Sequence, residues 1–144
     1  MNSVNDINWL EPMQIPLANK FIRQHGFRGR VRSDDQCIVM RNQKEGIIAL
    51  AVLRSFGEQD FLTAVSVAPD YQGQGLAKQL LSNMSSRFAT NTYTFSLNHL
   101  VELYAYYGFQ MVTEDDLPDE IRSRFVAYRK QGRQITAMVY SLEE

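Results

Sequence analysis

Apolar residues along this chain change period several times, and each change marks an element. Residues 36–42, QCIVMRN, and 45–56, EGIIALAVLRSF, are rich in Val and Ile and separated by Gln-Lys, which predicts an antiparallel hairpin. Residues 60–69, DFLTAVSVAP, predict another strand, ended by Pro69 because proline has no N–H to give to a ladder. NDINWL (5–10), TYTFSL (92–97), FQMV (109–112) and QITAMVYSL (134–142) are further extended runs. Helical spacing fills the intervals. Leu17, Phe21 and Ile22 recur from Pro16, with Gly26 placed as the stop. Leu76, Leu80, Leu81, Met84 and Phe88 form one stripe, while Lys78, Ser82, Ser85 and Arg87 face elsewhere. Leu100, Leu103, Tyr104 and Tyr107 fall at i, i+3, i+4, i+7 before Gly108. Pro118, Asp119 and Glu120 open a last helix carrying Ile121, Phe125 and Tyr128; Arg129 and Lys130 suit its C-terminal end, and Gly132 stops it. The sum is α+β: a mostly antiparallel sheet flanked by helices. No repeat, low-complexity run or linker interrupts it, so a single domain is expected over residues 1–144.

Composition narrows the classes. A chain of 144 residues, 44% hydrophobic and 22% charged, falls among ordered globular domains. No run approaches the 18 or so apolar residues of a membrane span, so no membrane partner is expected. The start, MNSVNDINWLEP, lacks the basic patch and apolar stretch of a secretory signal. Cys37 is alone, which excludes an internal disulfide and fits a cytoplasmic location; within an apolar strand it reads as packing. A net charge of −1 gives no electrostatic footprint for nucleic acid. His25 and His99 are too sparse for a metal site.

The chemistry concentrates in PDYQGQGLAKQLL (69–81). A helix entrance carries N–H groups without helical partners and the positive end of the dipole. Gly73 and Gly75 place no side chain in the way of a ligand, Ala77 only a methyl, and Gln72, Gln74 and Lys78 add donors or charge. The expected ligand is a phosphate. Two common nucleotide motifs do not fit: a dinucleotide fingerprint needs a small residue at Lys78 and an acid near Phe95, and a P-loop needs Gly at 78 followed by Lys-Ser or Lys-Thr. A purely architectural strand-to-helix turn is the competing reading.

The segment LTAVSVAPDYQGQGLAKQLL resembles the acetyl-CoA-binding segment of the GCN5-related N-acetyltransferase (GNAT) superfamily. Gln72, Gly75 and Ala77 match its Q/R-x-x-G-x-G/A signature, and Val67, Pro69 and Tyr71 match its strand end. LYAYYGF (103–109) is similar to the family's second landmark, a helix ending Tyr-x-x-x-Gly-Phe. The resemblance is sharp over residues 60–111. It implies a central sheet with splayed middle strands and acetyl-CoA as acyl-donor cosubstrate. Gln72, Gly73, Gln74, Gly75, Leu76, Ala77 and Lys78 would hold the pyrophosphate, and Val65, Ser66 and Val67 would pair with the pantetheine arm.

It further implies direct attack on the thioester by an amine of a small molecule or peptide. Tyr104 would supply the proton to the departing thiolate, a phenol being protonated at neutral pH. Asn98 would bond the pantetheine, with helix N-cap as the equal alternative. The family's glutamate base falls near Phe61, so that role does not carry over; Glu58, Asp60, His99 and Glu102 stay unassigned. Homodimers are common in the family, and a homodimer is an open expectation. The alternative function is a non-catalytic acyl-CoA-binding regulatory module on the same fold. The acceptor would be shaped by residues 10–32 and 112–132, which carry no readable motif. Residues 28–32, RGRVR, and 114–120, EDDLPDE, read as a solvated loop and a helix start.

Overall fold

A computed structural model describes residues 5–142. Residues 1–4, part of the stretch read as lacking a secretory signal, lie outside the described residues, as do 143–144. Seven strands form one mostly antiparallel sheet: β1 (Asp6–Trp9), β2 (Gln36–Asn42), β3 (Gly46–Phe56), β4 (Gln59–Val67), β5 (Thr92–Leu97), β6 (Gln110–Met111) and β7 (Ile135–Tyr140). The strand order is β1-β2-β3-β4-β5-β7-β6. Four helices accompany it: α1 (Ile15–Gln24), α2 (Leu76–Met84), α3 (Val101–Tyr106) and α4 (Asp119–Lys130). The chain divides into two compact units, residues 1–54 with 63–87, and residues 55–62 with 88–144.

In the first unit α1 lays Ala18, Phe21 and Ile22 on Cys37 and Val39 of β2 and on Leu50 and Val52 of β3. Strand alternation sends Ile38 and Met40 to the opposite face, where they are as deeply buried and where α2 covers β2. Four of the five residues on the predicted stripe, Leu76, Leu80, Leu81 and Met84, lie in α2 and are buried. Phe88 is buried too but falls past the end of the helix. Leu17 differs from expectation: it lies on the outer side of α1, 51% exposed. Asp35 is sealed beneath Arg54, which grips it with two N–H groups at 3.0 and 2.8 Å and gives a third bond to the Arg30 carbonyl. The β2–β3 register skips Ile48, whose carbonyl receives the Ala68 N–H at 2.8 Å and fixes the end of β4.

In the second unit β4 and β5 run parallel, with registered pairs only from Asp60↔Thr92 to Leu62↔Thr94. On its other side β5 pairs with β7 from Thr92↔Tyr140 to Leu97↔Ile135. One face of β5 packs aromatics: Phe95 meets Phe61, Phe125 and Tyr128, and α4 adds Ile121. The other face is buried yet hydroxylated. Thr92, Thr94 and Ser96 satisfy their hydroxyls on the carbonyls of Thr90, Leu62 and Leu97.

Three helices end by the same device. In each, the N–H of the second residue past the helix cap reaches back to a carbonyl five residues earlier, and the preceding glycine, left-handed, closes a shorter loop. The pairs are Phe27 to Ile22, Phe109 to Tyr104 and Arg133 to Tyr128, with Gly26, Gly108 and Gly132 between. The spacing Tyr-x-x-x-Gly-Phe is therefore a helix stop written in sequence, and its Tyr and Phe rings meet edge-on at 5.6 Å.

Candidate functional site

The strand-to-helix turn lies wholly within the first unit. Gly73 and Gly75 have φ of +82° and +80°, and Gly75 is the residue from which α2 starts. A Cβ added at either would meet no atom within 4 Å beyond its chain neighbours. Their glycine identity thus answers to left-handed backbone, which costs other residues about 1–2 kcal/mol, with open space beside it. Among the described residues, no acceptor takes the main-chain N–H of any residue from Gly73 to Lys78. Before them Gln72 N–H reaches the Pro69 carbonyl at 3.4 Å; after them Gln79 N–H reaches the Gly75 carbonyl at 3.1 Å. Consecutive unpaired donors at the positive end of a helix, beside open space, suit a diphosphate.

The neighbouring contacts hold the turn in place. Gln72 gives its amide Nε2 to the Val67 carbonyl at 3.0 Å, joining the turn to the strand end. That interaction was invisible in the sequence, where Gln72 was expected to face a ligand. Tyr71 accepts Asn42 Nδ2 at 2.8 Å and donates to Glu45, so the β2–β3 tip clasps the turn. The Glu45 bond, above all, raises the Tyr71 phenol above its ordinary range, the Asn42 bond opposing it.

In β4 the predicted residues sit otherwise than as plain core. Val65 and Val67 are half-buried, whereas Ser66 is buried and turns its hydroxyl to the Ala64 carbonyl at 3.1 Å. Ala64 is the residue that sequence reasoning missed. Its φ of +56° is left-handed, and Ala64 is the one such non-glycine among the described residues. Backbone of this kind costs about 1–3 kcal/mol and clusters at active sites, ligand clamps and switch regions. An alanine carries no signal for it.

The second unit holds Asn98 and Tyr104. Asn98 is exposed; its Oδ1 accepts the Thr136 hydroxyl at 2.7 Å and its N–H reaches the Gln134 carbonyl. It makes no side-chain cap to α3, whose cap residue is Leu100. Tyr104 is buried, and desolvation pushes its phenol up to about 12, so it carries its proton throughout the neutral range. Its hydroxyl bonds to no described residue. Tyr106, by contrast, is 80% exposed. Of the residues left unassigned as base, Asp60 is half-buried at the start of β4 with its carboxyl raised by that burial; Glu58, Glu102 and His99 are exposed. Phe61, where a family base would fall, is in the aromatic core.

The acetyltransferase (GNAT) domain family matches residues 11–132, and the chain belongs to it. No curated protein matches the sequence. Among solved structures, N-acetylglutamate synthase from Neisseria gonorrhoeae, complexed with coenzyme A and N-acetyl-glutamate, superposes with TM-score 0.70 at 21% identity. That alignment covers 100% of this chain and 36% of the synthase, so the chain spans about a third of that relative. The ribosomal-protein-S18-alanine N-acetyltransferase from Escherichia coli gives 0.62 at 19% identity over 98% of this chain and 97% of its own. Arabidopsis thaliana NAA60, in complex with a bisubstrate analogue, gives 0.64 at 15% identity over 97% and 100%. At these identities the likeness is one of fold.

Proposed function

We propose that this chain is an N-acetyltransferase that moves the acetyl group of acetyl-CoA to an amine of a small molecule or peptide. The run of unpaired N–H groups from Gly73 to Lys78 carries the reading, because a diphosphate-bearing coenzyme supplies the acceptors those donors lack. Acetyl-CoA, when bound, supplies the activated acyl group as a thioester. Gly73 to Lys78 bind its pyrophosphate through main-chain amides, with Lys78 adding charge. The β4 end, from Val65 to Val67, offers main-chain groups to the pantetheine amides as an added strand would. There the Val67 carbonyl already holds Gln72 and has one lone pair left. Asn98 keeps its side-chain N–H2 for the same arm, its oxygen being taken by Thr136. Tyr104 gives its proton to the departing thiolate, and burial keeps that proton in place at neutral pH. A cytoplasmic location and a homodimer belong to the same reading.

Calorimetry with acetyl-CoA, followed by an amine screen with a thiol-detecting reagent, tests it. Binding with thiol release is expected. No binding would end the proposal, and binding without release from any amine would mark an acyl-CoA-binding regulatory module instead.

A further inference from the structure

Of the three helices stopped by a left-handed glycine, two place phenylalanine after it, and α4 places Arg133. The ring of Tyr128 takes the Arg133 guanidinium at 4.0 Å, so packing holds a charge where the other stops hold an apolar ring. Its Nε is buried and has no partner among the described residues. Arg129, near the end of α4, lies 5.5 Å from the Phe125 ring. Neither arginine pairs with a carboxylate among the described residues. Both line an open cavity of about 370 Å³, with Asn98, Gln134 and Thr136. No acid lines it. The Thr136 hydroxyl is committed to the Asn98 oxygen. The free groups are thus mainly donors, two of them cationic, in a space sized for a small molecule.

We infer that this cavity binds a carboxylate carried by the acceptor amine, with Arg133 and Arg129 as its anchors. The inference rests on the proposed acetyl transfer, and it names the acceptor class as amino acids or similar carboxylate-bearing amines. Guanidinium forks match carboxylates in plane and number, and the terminal N–H groups of Arg133 and Arg129 supply the donors. A phosphate of the coenzyme shares this chemistry, and the test separates the two sources.

The experiment uses wild type, Arg133→Gln and Arg133→Lys, with folding checked by Tm. Glutarate and its neutral diamide are titrated by calorimetry with and without CoA; CoA and dephospho-CoA are titrated separately. Matched amino acids and amino-acid amides are then compared as acceptors. We expect glutarate but not the diamide to bind, both variants to weaken it at least tenfold, and the free acid to exceed its amide at least tenfold in kcat/KM. Lysine fails to rescue because it lacks the planar fork. Equal use of acid and amide overturns the inference while acetyl transfer stands. So does a variant that weakens CoA but not dephospho-CoA, which assigns the cavity to the coenzyme. Glutarate binding that depends on Arg133 without any CoA binding leaves the anion site standing and removes the proposed transferase.

Discussion

The Phe109 N–H donates to the Tyr104 carbonyl at 3.1 Å, so the residue proposed as proton donor is also the anchor of its own helix stop. Substituting the side chain leaves that main-chain bond in place. Tyr104→Phe is therefore expected to keep the fold and lose acetyl transfer by about 100-fold or more, the range of a removed general acid. Stopped-flow thiol release against Tm separates the two effects. Retained rate with retained Tm would return Tyr104 to a packing role.

Gly108 and Gly132 occupy equivalent stops but differ in their surroundings. At Gly108, with φ of +99°, an added Cβ would lie 2.8 Å from Tyr140 Cε2; at Gly132, with φ of +89°, it would meet nothing within 4 Å. Gly132→Ala should lose about 1–2 kcal/mol, the backbone cost alone. Gly108→Ala should lose more, because the Tyr140 ring must shift. Urea denaturation of both variants gives the comparison, and equal losses would show that Tyr140 yields freely.

Arg54 and Asp35 are joined by paired hydrogen bonds with Asp35 sealed from solvent, 1% exposed at its side chain. Arg54→Ala strands a buried carboxylate and is expected to cost about 3–5 kcal/mol. Arg54→Lys should recover little, since one ammonium cannot reproduce the fork. Thermal unfolding of both variants is the measurement.

Burial, and secondarily Asp35, pushes the Cys37 thiol from 9.0 to about 12. Above pH 9 the unfolded chain loses this proton while the folded one keeps it, so ionisation favours unfolding. Stability should fall between pH 9 and 12, by roughly 1.4 kcal/mol per unit from this group, and level off beyond. Cys37→Ala should lower stability at pH 7 and flatten the slope. A slope identical to wild type would place the alkaline loss elsewhere.

Much of the fold was legible because it rests on local rules. Strands β2 and β5 coincide with their apolar runs, and α4 runs from the residue after Pro118 to Lys130, as its cap residues foretell. The helix stop at Gly108 was readable from glycine placement alone. What escaped depends on tertiary context. Nothing in an alanine announces the left-handed turn at Ala64, since its cost is met by surrounding structure. Thr92, Thr94 and Ser96 are polar in a strand yet buried, each hydroxyl finding a carbonyl that only the folded chain supplies. Phe88 shared the period of α2 without belonging to it. At the site, the open amides follow from glycine, whereas the tie from Gln72 to Val67 follows from a side chain folding back.

Stops built from a glycine and its immediate neighbour meter each helix locally. Lengthening the chain beyond such a stop would leave the helix before it in phase, although Val31 after α1 and Phe109 after α3 are themselves buried and set where the chain must return. After α4 the residue completing the stop carries the charge that faces the cavity, and there helix length and ligand preference would have to change together.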